Sequence, residues 1–483
     1  MKNQRMVSMA VAAVLACSAA AANAATKPAR PAPAPVATAA EVDALKAQLQ
    51  ALQDRLAQLE QAQAAQASQV AEASKVVEAQ QASNTEQQEA IDRTTDSLAQ
   101  TRANVGEWVG RFTWKGDLRY RNENIEQEFT RKDRNRDRIR ARLGFFAKVN
   151  DTVRVEMQAT TTENGDARSS NQTLTDANSR KALDLDTAYA EWTPNAYWKL
   201  TLGKMRYPWV RTSSYFYDGD INPEGVAVNY QQGPTGFFAS GFVARLAERN
   251  GAAAFADSNL FGAQAGWRGT FGDGGRYTVA AGYFDHGGVQ GYNVIQSGSA
   301  GGFFGNSTTG STAICRSGIA TCLANDFDVL AVLGEVQFNL AGRPLTLFAD
   351  YANNSKADFR NVTTNPTTNI PAGLDTALAA GFTYGRVTAT PGSWEVGYVY
   401  QKVEKDALFG QWIDSDFAAG NTDGDGGAFR FGYGLARNWR INATYIMSKT
   451  NNDVAAAVTF PVSRNNVFDR DYKRLQLDLN MTF

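Results

Sequence analysis

Histidine is almost missing from this chain: 483 residues contain 1 His, alongside 3 Cys and 13 Pro. General acid–base and nucleophilic sites need a base beside a nucleophile. The lone His286, in Asp285-His286-Gly287-Gly288, has no such neighbour in sequence and reads as a solvent-exposed loop residue. Paired acids such as Asp184 and Asp186, or Asp414 and Asp416, lie in or beside long polar stretches with no convergent partner in view. Asp423-Gly424-Asp425-Gly426 lacks the later ligand of a calcium loop. No phosphate-cradling Gly-Lys-Ser motif is present, and nothing supports nucleic-acid binding. The reading is therefore of a non-enzyme with no metal and no cofactor.

Also missing, beyond the N-terminus, is any apolar run of about 18 residues, which excludes a helical membrane protein. A β-barrel escapes that exclusion because its strands alternate and average to polar. Mean hydropathy is accordingly negative. The one apolar run is Met6 to Ala22, preceded by Lys2 and Arg5 and followed by Ala22-Asn23-Ala24. Residues 1–24 thus read as an export signal, the rival being a lipoprotein signal cut before Cys17. Export implies an oxidising compartment. Cys315 and Cys322 are then the remaining pair and are expected to close a short disulfide loop.

What is abundant is periodicity. Residues 25–40 form a Pro/Ala-rich spacer. From there Val42, Leu45, Leu49, Leu52, Leu56 and Leu59 step by three and four, the spacing of a heptad seam. That seam can be followed with polar and small inner residues to Leu98, so 41–102 is expected to be a periplasmic coiled coil of roughly 90 Å. A partly disordered Ala/Gln-rich linker beyond residue 60 is the alternative.

After Arg111 the period becomes two. Phe112, Trp114, Leu118 and Tyr120 share one face; Lys115, Asp117, Arg119 and Arg121 share the other. In the next segment Ile139, Ala141, Leu143 and Phe145 alternate with Arg138, Arg140, Arg142 and, further on, Lys148. A third sets Val153, Val155 and Met157 against Arg154, Glu156 and Gln158. The unit recurs to the end of the chain, where Leu475, Leu477, Leu479, Met481 and Phe483 alternate with Arg474, Gln476, Asp478 and Asn480. Breaks alternate between seven short turns and eight long polar loops, with aromatics such as Trp114, Trp192, Trp394 and Tyr445 near strand ends. A stack of soluble sandwiches predicts neither that rim asymmetry nor those aromatics. The pattern predicts an all-β fold for 108–483: a 16-stranded antiparallel transmembrane β-barrel in the outer membrane, preceded by the α-helical coiled-coil segment. Leu477, Leu479, Met481 and Phe483 are expected to form the signal read by the outer-membrane assembly machinery.

The lumen takes the inward half of each strand, so the expected pore-lining residues are Lys115, Arg119, Arg121, Arg138, Arg140, Arg142, Lys148 and Arg154, a basic wall opposed by Asp117 and Glu156. The stretches WKGDLRYRNENIEQE, RDRIRARLGFFAKVNDTVRVEMQATT, LDLDTAYAEWTPNAYWKLTLGKMRYPWV and DGDINPEGVAV together resemble the putative porin family of Gram-negative outer membranes, over about 108–483. The resemblance implies a general or anion-preferring diffusion channel, a homotrimer in outer-membrane lipid, with the third long loop folded inward. Lys204, Arg206, Arg211, Asp218 and Asp220 would then be the constriction residues. The expected cargo is small hydrophilic solutes and ions, with a lean to anions such as phosphate. The alternative function is a structural tether whose coiled coil binds peptidoglycan.

Overall fold

The computed structural model describes residues 39–104, 109–128, 133–249, 256–293, 302–357, 373–450 and 470–483. The expected signal peptide and nearly all of the Pro/Ala-rich spacer lie outside these. The chain divides into two units, residues 1–101 and 102–483. In the first, a single α-helix, Ala39–Asn104, runs for 66 residues without a break. Its composition explains this: Ala, Gln, Glu and Leu are strong helix formers, and neither Gly nor Pro interrupts them. The seam leucines are bare in the single chain, Leu52 being 67% exposed.

In the second unit, sixteen strands among the described residues form one closed antiparallel barrel. They are β1 (Phe112–Gln127), β2 (Arg134–Lys148), β3 (Val153–Thr161), β4 (Leu183–Trp192), β5 (Trp198–Lys204), β6 (Glu224–Gln231), β7 (Gly236–Ala247) and β8 (Ser258–Phe271). The second half comprises β9 (Gly275–Gly287), β10 (Asp328–Leu340), β11 (Arg343–Asn354), β12 (Thr376–Gly385), β13 (Trp394–Val403), β14 (Gly424–Ala436), β15 (Trp439–Thr450) and β16 (Arg470–Thr482). Each strand pairs with its neighbour in sequence, and β1 pairs with β16 from Asp117↔Thr482 to Gln127↔Tyr472, so no edge is left open. A two-residue strand, Gln172–Thr173, adds to β2 at Arg138 and Ile139 from the loop after β3.

The seven short connections fall on one rim and the eight long ones on the other, as the alternating breaks predicted. Short turns are set by local chemistry. The Asn150 side-chain oxygen accepts from the backbone N–H of Thr152 and Val153 at 2.9 and 2.8 Å, and Asn195 does the same for Tyr197 and Trp198. Ala341-Gly342 turns in two residues, both with positive φ. The longest loop carries the Cys315–Cys322 disulfide, with a Cα separation of 5.5 Å.

Outward residues are apolar. Pairs of aromatics six residues apart recur as Trp114 and Tyr120, Tyr277 and Tyr283, Trp394 and Tyr400, and Trp439 and Tyr445, all exposed or half-buried. That spacing sets two girdles about 20 Å apart along the strands. The seam between first and last strands is completed by Phe483, whose N–H donates to Gly116 O at 3.0 Å while Gly116 N–H donates to Phe483 O at 2.9 Å. The Phe483 ring lies over Gly116, where a Cβ would collide with it and with the carbonyl of Arg142. Gly116→Val should therefore destabilise the closed barrel by about 1–3 kcal/mol, read as a lower temperature for loss of the compact, heat-modifiable form in detergent; an unchanged transition would show that the ring and strand shift freely.

Candidate functional site in the barrel lumen

Alternation turns the arginines of β1, β2 and β16 inward, but they do not line the lumen as free charges. Arg121 donates to both oxygens of Asp478, at 2.6 and 2.8 Å, and reaches Glu123 and Asp416 at 3.3 Å. Arg140 pairs with Asp117 at 2.7 Å, Arg142 with Asp220, and Arg138 with Glu163 and Glu123. Arg119 contacts Asn171 and sits 4.0 Å from Asp478; Arg136 and Arg474 both bind Glu123. Seven guanidiniums thus meet six carboxylates, and the Arg121 side chain is only 7% exposed. The expected basic wall, set against Asp117 and Glu156, meets further acids. Glu123 and Asp478 share the inward face, and Glu163, Asp220 and Asp416 arrive from loops.

The third long loop is not alone in folding inward: residues 162–182 bring Ser170 and Asn171 to Arg142 and Arg119, and residues 404–423 fold in as well. Residues 205–223 dock on the apolar half of the wall: Trp209 stacks on Phe242 at 4.7 Å, and Val210 exchanges backbone hydrogen bonds with the Gln264 amide. The Arg430 guanidinium lies 4.5 Å from the Tyr215 ring, and Tyr215 N–H donates to Gln401. Residues 404–423 cover the charged half. There Asp416 accepts from Arg474 at 2.8 Å, from Gln476 at 2.9 Å and from Arg121, so this acid has the convergent partners that its sequence neighbourhood hid. The two loops join where Asp218 N–H donates to Trp412 O and Ser415 N–H donates to the Asp218 carboxylate, both at 2.9 Å. His286 is likewise corrected: it is 1% exposed, its Nδ1 is 3.3 Å from Phe327 O, and Phe409 and Trp412 surround it.

Of the five expected constriction residues, two join the ion-paired constriction. Arg206 donates to Glu156 at 2.7 Å and to Gln158 at 3.2 Å, and Asp220 meets Arg142. The other three stand apart from it, Lys204 lining instead the space at the long-loop rim. Asp218 is buried between the loops. Arg211 lies 3.8 Å from the Tyr207 ring and donates to Tyr217 O, inside its own loop. Lys204 ends β5 after Gly203, whose φ of 120° breaks the strand's alternation, and is held by Glu224 at 2.8 Å.

A cavity opens on either side of this constriction. At the short-turn rim a space of about 430 Å³ is lined by Arg111, Lys115, Lys148, Arg154, Glu156 and Glu191. At the long-loop rim another, of about 510 Å³, is lined by Asp166, Asp184, Asp186, Asp220, Glu224 and Glu248, with Lys204 and Arg245. Gln158 lies between Glu156 and Thr160, which line the lower and upper spaces respectively. It donates to Asp186, which also accepts from Asn222 at 2.6 Å. Nothing but the partnering of Asp186 in space distinguishes it from its neighbours, so sequence reasoning missed it as a lumen residue.

Burial and proximity split the loop acids. Burial, then Asp414 and Asp220, push Asp218 well above the usual carboxylate range. Burial and the Asp416 charge push Asp414 up to about 7. Burial also opposes ionisation of Asp220 and Asp416, but Arg142 and Arg140 outweigh it at the first, and Arg474 and Arg121 at the second, so both stay below that range. An acid raised by folding contributes stability that is complete below its unfolded value and lost as pH rises through the folded one. Between pH 8 and 5 the docked loops should therefore tighten, because Asp414 takes up its proton while Asp416 keeps its charge. Hydrogen exchange across 415–421, corrected for intrinsic rates, should slow over that range in the native chain and lose this dependence in Asp414→Asn; the opposite slope would overturn the assignment.

A family model described as Putative porin matches residues 125–483. Among solved structures the chain is similar to OprB of Pseudomonas putida in its high-pH form, with 11% identity, a TM-score of 0.48, and 78% of this chain and 96% of that one covered. It is also similar to the trimer form of OmpT of Vibrio cholerae, at 14% identity and a TM-score of 0.40, covering 77% and 99%. A triple mutant of the Rhodopseudomonas blastica porin matches at 11% identity and a TM-score of 0.42, covering 77% and 100%. No curated protein matches the chain at a significant level. Because the family model spans from within β1 to Phe483, well over half of the chain, this protein belongs to the Putative porin family.

Proposed function

We propose that this chain forms an outer-membrane channel for passive diffusion of small hydrophilic solutes and ions, with the long loops facing outward and the helix in the periplasm. The observation that carries the reading is the pair of cavities flanking a charged constriction inside a barrel whose outer face is apolar. Permeation is by size exclusion beside Arg206, Glu156 and Gln158. A lean to anions such as phosphate is supported by Lys115 and Arg154 at the short-turn mouth, where Lys148 is taken by Asp151, and by the one-charge excess in the arginine cluster. Because most of the arginine charge is compensated, the lean is small. Single-channel recording in planar bilayers tests both parts: discrete steps are expected, with a reversal potential slightly to the anion side in a tenfold KCl gradient. Absence of steps would overturn the channel, and a cation-side potential would overturn the lean alone.

Self-association into a trimer is supported by the bare leucine seam of the helix. Deleting residues 41–102 should convert the detergent-solubilised trimer to monomers by sedimentation. Loss of envelope integrity with trimers and conductance intact would favour the tether to peptidoglycan instead.

A further inference from the structure

We propose that the conduit is electrically bipolar, acidic at the long-loop mouth and basic at the short-turn mouth, and that it thereby favours zwitterionic solutes, such as amino acids and small peptides, over ions of a single sign. The inference rests on the channel reading and adds the chemical class of the solute.

It comes from asking which charges at each mouth are already consumed. At the long-loop mouth the cations are taken: Lys204 pairs with Glu224 at 2.8 Å, and Arg245 pairs with Asp257. Asp184 and Glu248 line the same cavity and form no ion pair among the described residues. Asp186 is held by the neutral amides of Gln158 and Asn222, which orient its charge without cancelling it. At the short-turn mouth the anions are taken. Glu156 accepts from Arg206 and from the Tyr189 hydroxyl at 2.6 Å, and Glu191 pairs with Lys199 at 2.9 Å. Lys115 sits 5.1 Å from the Phe146 ring, a contact that leaves its charge intact, and Arg154 has no carboxylate partner among the described residues. What remains is negative at one mouth and positive at the other.

Arg154 and Thr160, which line the two cavities, are six residues apart on β3, roughly 20 Å along the strand. That exceeds the Debye length of about 8 Å at physiological salt, so each mouth acts on a solute separately. A monovalent ion is drawn in at one mouth and repelled at the other. A zwitterion presents its ammonium to the acidic mouth and its carboxylate to the basic one, and meets no mouth of wholly like charge.

The same polarity makes the pore rectify. With the long-loop side positive, cations enter through the acidic mouth and anions through the basic mouth, both accumulating between; the reverse polarity depletes the middle. In planar bilayers with insertion oriented by one-sided addition, current at the favoured polarity should exceed the other by about twofold in 0.1 M KCl, and the ratio should fall towards one in 1 M KCl, where the Debye length is about 3 Å. Lys115→Gln with Arg154→Gln, or Asp184→Asn with Glu248→Gln, should each lower the ratio while steps in 1 M KCl persist. In proteoliposomes glycylglycine should enter faster than anionic N-acetylglycine and cationic glycylglycinamide, by about twofold over either. Open channels with a symmetric current–voltage curve and no advantage for glycylglycine would overturn the bipolar assignment and leave the channel standing. Absence of channels would remove both.

Discussion

Backbone hydrogen bonding is the constraint from which the rest of this structure follows. In hydrocarbon, each N–H and C=O has to be satisfied within the protein, and a sheet achieves that only by closing on itself. Closure here depends on the register that joins β1 to β16 and on the reciprocal pair between Gly116 and Phe483. Once the sheet is closed, the two-residue period leaves a side chain only two choices, lipid or lumen. Arg119, Arg121, Arg138, Arg140 and Arg142 must then all point into one confined space.

That crowding determines how the interior is built. Clustered guanidiniums in partly buried surroundings are stable only beside carboxylates, and the strands supply just three of those near at hand, Asp117, Glu123 and Asp478. The others arrive on loops: Asp220 from residues 205–223, Asp416 from 404–423 and Glu163 from 162–182. The inward loops are therefore held at one end by ion pairs. They are held elsewhere by apolar contacts, Trp209 with Phe242 and Phe284, and Phe409 with Phe327. Between the charged and apolar halves the lumen opens into a cavity towards each mouth.

Much of this was legible before any coordinates. Strand number, the placement of short and long connections and the inward phase of β1 to β3 follow from alternation, which registers in every segment because lipid and water impose opposite demands on successive residues. The inward position of the third long loop came from family resemblance, and its contents were read less well. Arg206 and Asp220 face the lumen, whereas Arg211 and Asp218 serve the packing of the loops themselves. The inward course of residues 404–423 left no trace, since a polar Gly/Asp-rich segment looks the same whether it faces solvent or folds over an arginine cluster.

The sequence by itself determined a barrel with a polar interior, a long helix before it and a set of arginines turned inward, because periodicity is a local property that neighbouring residues express alone. Only the tertiary structure decided which of those charges are cancelled. Asp416 lies 295 positions from Arg121 along the chain, and Asp478 lies 357. Electrostatic neutralisation depends on distance in space, and closure of the sheet brings together carboxylates and guanidiniums that no periodic pattern relates.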